Sequence, residues 1–264
     1  PILNISEALK KKSYILKPQK LVRGNADREI KNSLHKLEGE LYCGGQDHFY
    51  LEGQIAFTIP KEDNNFLIYS STQHPSETQQ IIAKVLKQKF NSIDVQVRRI
   101  GGGFGGKESQ SFIFAAISAL FSKKLNKPAK LRVDRDDDMI ITGKRHDFYF
   151  KYKVGFNEKG KIKGINVKLA SRCGYSADLS GAVNDRAIYS IDNTYLIPSV
   201  KLISYRCKTN TVSNTAFRGF GAPQGIFCIE SIIDNISKYL KTDALNIRRE
   251  NFYKKNDFTH YGMK

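Results

Sequence analysis

Five glycines occupy the six positions from Gly101 to Gly106, with only Phe104 between them. Such a stretch offers backbone, not side chains, to whatever lies against it, because only glycine permits that approach at little steric cost. A β-type run, Val95 to Ile100, leads in, and an apolar segment from about Lys107 to Leu125 leads out. The pattern predicts a strand, a tight loop and a helix N-terminus, where free N–H groups favour negative charge. Two nucleotide templates fit in form. Gly101, Gly106 and Lys107 match a phosphate loop, but Glu108 stands where a magnesium-binding hydroxyl is required. Gly101, Gly103 and Gly106 match a dinucleotide loop, with Asp134 as a candidate ribose ligand. A glycine-rich turn without chemistry is the plain alternative.

With 264 residues the chain has ample room for a buried core. It begins at Pro1 and ends after a polar stretch, which reads as a piece of a longer protein. The net charge of +17 raises nucleic acid or an anionic membrane as partners. Lysines are spread through every segment with no aromatic-interleaved stripe, so a solvated Lys-rich surface is the preferred reading and neither partner is expected. A missing acidic partner would also account for part of the charge. Cys43, Cys173, Cys207 and Cys228 form no C-x-x-C pair, which argues for a reduced, cytoplasmic setting without a locally encoded zinc or iron–sulfur site. The run Phe112 to Phe121 is too short to span a bilayer.

Along the chain, Ile5 to about Tyr14 reads as a short capped helix, and the Lys- and Asn-rich stretch to about Ser33 as an exposed connector. Leu37–Cys43 and Gln54–Ile59 alternate as paired strands do, with Gln46–Glu52 between them. His48 and Glu52 have helical metal-ligand spacing, but between strands packing or backbone hydrogen bonding is preferred. Phe66–Ser70 is a buried strand that delivers Gln73 to a loop stiffened by Pro75, and Ser76 with Gln79 suggests a capping box for the next helix. Gln73 is either a ligand-facing amide or a turn cap. The helix expected from Glu108 to Phe121 is apolar on nearly all sides and so should be buried, with Glu108 at its inner end. Arg135 to Asp138 reads as a solvated polar turn, and the strands around Asn157–Gly160 as a hairpin. Arg186 fits either an ion pair or a planar fork for a ligand. In Asn214–Gln224, Phe217 and Phe220 flank Arg218 and Gly219, which suits a flat anionic ligand or two core staples.

Taken together, Gly101–Glu108, Asn214–Gln224 and Gln46–Glu52 resemble the molybdenum-binding subunit of the molybdenum hydroxylase family, the xanthine dehydrogenases and aldehyde oxidases. Ser171–Ser180 resembles the bacterial form, in which that subunit is a separate polypeptide. The resemblance implies an α+β fold of mixed sheets with packed helices, the first half of a molybdopterin-binding region. Residues 1–35 would form an N-terminal helix and connector, and 36–264 the incomplete domain. It implies a molybdenum–molybdopterin cofactor, with FAD and 2Fe–2S clusters on a partner subunit, and hydroxylation of a purine with water as oxygen source.

Residue by residue, the resemblance makes Gln73 the glutamine that hydrogen-bonds an oxygen on molybdenum. Phe104 and Gly105 become the backbone that closes on the metal centre, and Arg218, with Ala216 and Phe217, holds the cofactor. Glu108 and Arg186 match the pair that distinguishes purine-oxidising members from aldehyde oxidases, and Phe220 one of two rings that sandwich the substrate. No segment before Lys264 matches the family's catalytic glutamate. The chain by itself is therefore expected to retain no cofactor and turn over no purine, with the remaining C-terminal half as a required partner.

Overall fold

The computed structural model describes all residues from Pro1 to Lys264. It divides into two compact units. The first comprises Pro1–Gly45, His146–Thr211 and Gly219–Lys264; the second comprises Gln46–Arg145 and Val212–Arg218. Each has its own mixed sheet and packed helices, as the α+β expectation requires.

The first unit is built on a five-stranded sheet. Its strands are β1 (Tyr14–Arg23), β2 (His35–Cys43), β7 (Phe148–Phe156), β8 (Ile162–Gly174) and β9 (Val200–Lys208), in the spatial order β1-β9-β8-β7-β2. Only β8 and β9 run parallel. Helices α6 (Ser180–Tyr189) and α7 (Ala222–Leu240) share one core with this sheet, in which Ile229, Ile232, Ile233 and Ile236 are fully buried. Each such side chain contributes about 1.5–3 kcal/mol relative to leaving it in water. Helix α1 (Ile5–Lys10) makes a separate cluster with Ala170 and Cys207, while α2 (Ala26–Asn32) and α8 (Ala244–Asn251) complete the unit. The hairpin between β7 and β8 is as expected, with the Asn157 side chain accepting from the N–H groups of Lys159 and Lys161.

The second unit has a four-stranded sheet. Strands β3 (Ile55–Pro60), β4 (Phe66–Ser70), β5 (Ile93–Gln96) and β6 (Ala129–Arg132) lie in the order β5-β4-β3-β6. Helix α3 (Pro75–Leu86) is the crossover that makes β4 and β5 parallel. Helix α4 (Ser111–Leu125) packs on the same sheet through Ala115 and Ala119, and α5 (Arg135–Ile141) follows β6.

Several expectations are corrected. Residues 14–33 are no connector but an edge strand and a helix; Lys17, Pro18 and Lys20 have the composition that keeps a sheet edge from pairing further. β2 and β3 do not pair with each other, since β2 joins β7 while β3 lies between β4 and β6. The cap of α3 is His74, whose Nδ1 accepts from Glu77 N–H, and Pro75 at the first turn starts the helix two residues earlier than a Ser76 cap would. Asp136, Asp137 and Asp138 lie in the first turn of α5, where carboxylates complement the helix dipole, and Asp138 is buried. α4 begins at Ser111, so Glu108 belongs to the preceding turn. Nor is α4 buried all round: Ile113, Ile117, Leu120, Phe121 and Leu125 are each 37% or more exposed.

Candidate functional site

In the second unit the end of β4 delivers Gln73 to the glycine loop. Its Oε1 accepts from the N–H groups of Gly105 at 2.8 Å and Lys107 at 3.3 Å, and its own N–H donates to the Lys107 carbonyl at 2.8 Å. Two backbone donors on one oxygen fix the orientation of the amide. The –NH2 group is thereby the end left to meet an acceptor outside the loop. Gly105 has φ +101°, and a Cβ there would stand 2.6 Å from the Ala216 carbonyl oxygen, so the loop and the segment ending at Arg218 touch backbone to backbone. Arg218 N–H donates to the Phe104 carbonyl at 2.8 Å. Phe104 itself has φ +52° and is 47% exposed, a large ring held outward in the left-handed region.

Six of the sequence-derived site residues thus come together here: Gln73, Phe104, Gly105, Ala216, Phe217 and Arg218. Ala216 is buried, and its carbonyl is 2.6 Å from His48 Nε2; the Phe217 ring stacks on His48 and the Arg218 side chain is exposed. Phe217 is therefore no helix staple. Glu108 is half-buried on the turn between the glycine loop and α4. Arg186 and Phe220 belong to the first unit: Arg186 is exposed on α6, and Phe220, at φ +52°, packs against the core shared by α6 and α7 just before α7 begins.

Lys107 is the residue that sequence patterns place wrongly. It is 0% exposed, and its ammonium donates to the carbonyls of Glu52 at 2.7 Å and Ile100 at 2.5 Å. Burial pushes it down to about 8, a shift that the charges of Glu52 and Asp138 only partly offset. A phosphate cradle needs this ammonium and the loop N–H groups turned toward the ligand. Here the first points inward and two of the second are held by Gln73, so the phosphate-loop reading fails on geometry; Asp134, the candidate ribose ligand, instead caps α5.

His48, Tyr50 and Gln54 were not singled out as site residues, yet all three support the loop. Gln54 Nε2 donates to the Gly106 carbonyl and to Tyr50 Oη, each at 3.0 Å, while Tyr50 donates to Asp138 Oδ1 at 2.8 Å. Burial lowers the His48 pKa, favouring a neutral ring whose Nε2–H donates to Ala216. For His48 the sequence favours packing or backbone hydrogen bonding, and the Ala216 contact bears that out. His48 and Tyr50 also lie in Gln46–Glu52, one of the motifs carrying the family resemblance, while nothing in the sequence points to Gln54.

No group of three or more His, Cys, Asp or Glu side chains converges on a potential metal position, and the four cysteines are free thiols. What the site offers is an amide donor, backbone contacts opened by glycine, an exposed ring and an exposed guanidinium. That set suits a bulky, polar, anionic cofactor that brings its own metal.

Residues 8–252 match the molybdopterin cofactor-binding domain, and the chain belongs to that family. It is 42% identical to the xanthine dehydrogenase of Calliphora vicina over 264 residues, all of this chain and 20% of that protein. It is also 42% identical to the nicotinate hydroxylase of Emericella nidulans over 267 residues, covering 99% of this chain and 20% of that one. Among solved structures, the aldehyde oxidoreductase of Desulfovibrio gigas superposes with a TM-score of 0.89 at 24% identity, over 95% of this chain and 28% of that one. The last likeness is one of fold. The chain spans about a fifth of the length of these curated relatives, in which the matching region is part of a much longer polypeptide. No helix is long and apolar enough to cross a membrane.

Proposed function

We propose that this chain is the opening half of the molybdopterin-binding region of a purine-oxidising xanthine dehydrogenase, with residues 1–35, expected as a helix and connector, built into the first unit through β1 and α2. The observation that carries this reading is the latch between Gln73 and the glycine loop, which takes the N–H groups of Gly105 and Lys107 and leaves the amide –NH2 for an acceptor outside the loop. Gln73, Phe104, Gly105, Ala216, Phe217 and Arg218 would hold a molybdenum–molybdopterin group. When bound, that group supplies the redox chemistry that hydroxylates an electron-poor ring carbon with oxygen from water.

The chain's own side chains do the positioning. Phe220 offers a face for a flat heterocycle, and Glu108 and Arg186 supply a carboxylate and a guanidinium for ring nitrogens and carbonyl oxygens, where they stabilise charge that builds during attack. The proton-abstracting glutamate belongs to the remaining half of the domain. FAD and 2Fe–2S clusters, carried elsewhere in the enzyme, would take the electrons onward, in the cytoplasm and in the service of purine catabolism.

The relative named a nicotinate hydroxylase supports a second reading, a heteroarene hydroxylase whose substrate is not a purine. Glu108→Ala and Arg186→Met in the full-length enzyme separate the two. Xanthine turnover is expected to fall at least a hundredfold while aldehyde turnover is retained. Equal loss on both substrates, or no loss on xanthine, overturns the purine assignment.

A further inference from the structure

The residues of Gln46–Glu52 that brace the glycine loop also link the two cofactor segments. Their side chains form the middle of a column within the second unit. The Arg145 guanidinium lies 3.8 Å over the Phe217 ring. Phe217 stacks on His48 with centroids 4.7 Å apart and planes 28° from parallel. His48 in turn stacks on Tyr50 at 6.1 Å, and the Lys107 ammonium sits 4.5 Å over Tyr50. Phe217 belongs to one cofactor segment and Lys107 to the other, so the column spans both.

A column built only to fill space would be apolar, because burying two cations and an imidazole is costly unless each is hydrogen-bonded. Arg145, His48, Tyr50 and Lys107 are all 8% exposed or less. Three of them reach the backbone of the cofactor segments, while the Tyr50 hydroxyl donates to Asp138. His48 Nε2 takes the Ala216 carbonyl at 2.6 Å, Arg145 Nη2 the Arg218 carbonyl at 2.9 Å, and Lys107 Nζ the Ile100 carbonyl at 2.5 Å. In a trans peptide the C=O and the following N–H point in opposite directions. Drawing the Ala216 and Ile100 carbonyls toward the column therefore turns the N–H groups of Phe217 and Gly101 away from it.

We propose that His48 is a positioning residue: stacked between Phe217 and Tyr50 and bonded to the Ala216 carbonyl, it sets the spacing and peptide orientation of the two cofactor segments. This rests on the cofactor reading above. The column keeps the loops in register from behind, so that the donors facing the cofactor need no reorganisation when it binds.

The test uses the full-length enzyme with His48→Phe, which keeps the ring and loses the donor, and His48→Gln, which keeps an N–H donor. Molybdenum per folded enzyme, the line shape of the Mo(V) paramagnetic signal and the thermal unfolding midpoint are read together. His48→Phe is expected to lose molybdenum at least fivefold and to shift the residual signal, with an unchanged midpoint, and His48→Gln to recover at least half of the metal with a signal close to the wild type. Wild-type metal and signal in His48→Phe overturn the proposal, as does metal loss that merely follows loss of folded protein. Gln73→Ala serves as the reference. If it too leaves metal and signal unchanged, the cofactor reading itself fails; if it alone changes them, only the role of His48 fails.

Discussion

Gly105 and Gly221 share a positive φ of +101°, and each abuts the carbonyl oxygen of another segment, Ala216 for the first and Val183 for the second. Their surroundings differ. Around Gly105 the neighbours are polar groups engaged with backbone: the Gln73 amide, which takes its N–H, and the Ala216 carbonyl, which His48 holds. Around Gly221 the neighbours are the first turns of α7 and the buried side of α6, continuous with a core of Val183, Ala187, Cys228 and Ile229. The same positive φ thus serves two ends. One glycine lets a polar scaffold shape a surface, and the other lets two helices approach until their apolar sides close.

The largest effect that would sharpen this contrast is expected at Gly221. An alanine there must accept a left-handed conformation and overlap a helix carbonyl, which together cost about 3–5 kcal/mol. Soluble yield of the full-length enzyme should collapse and its unfolding midpoint should fall by several degrees. An alanine variant that expresses and melts like the wild type would break the comparison.

A smaller effect is expected further along α7. Desolvation by itself would raise the Glu230 pKa, but hydrogen bonds from Tyr195, Arg248 and Asn193 outweigh it and hold the carboxyl below its ordinary 4.5. A lowered carboxyl pKa stabilises the fold above the unfolded value and loses that contribution as pH falls through the folded one. The full-length enzyme should therefore lose stability below about pH 4.5, the unfolded carboxyl value. In Glu230→Gln that acid limb should be shallower and stability at pH 7 lower. An identical pH profile of unfolding midpoints in the two proteins would show that the Glu230 cluster contributes nothing.

The sequence carries the order of strand, glycine loop and helix around Gly101–Gly106, although the strand ends at Gln96 and the helix begins only at Ser111. It also carries the β7–β8 hairpin and the long amphipathic run of α7, because each rests on local periodicity or turn chemistry. It misleads where the deciding partner is distant. β1 looks like a linker because an edge strand advertises lysine and proline instead of alternation. The aspartates of α5 look solvated because the partners of Asp138, the Tyr50 and Thr142 hydroxyls, include one that is 88 residues away. The cofactor residues are legible as motifs, but the direction of each group is not. Nothing in G-G-G-F-G-G-K says that Lys107 faces inward, since that follows from Glu52, Ile100 and Tyr50 together. Likewise Gln73 balances between ligand and turn cap until the two N–H groups on its Oε1 show that it latches the loop with one end and leaves the other for a ligand.

The division of labour between the two glycines is tested most directly by Gly105→Ala in the full-length enzyme, with molybdenum measured per folded molecule and Gly221→Ala beside it. The added methyl meets the Ala216 carbonyl from a left-handed backbone, so Gly105→Ala is expected to lose stability as Gly221→Ala does, but the molecules that do fold should carry less than a fifth of the wild-type molybdenum. The fraction of Gly221→Ala that folds should carry the normal amount. Full molybdenum in Gly105→Ala, or metal loss confined to Gly221→Ala, would contradict the account.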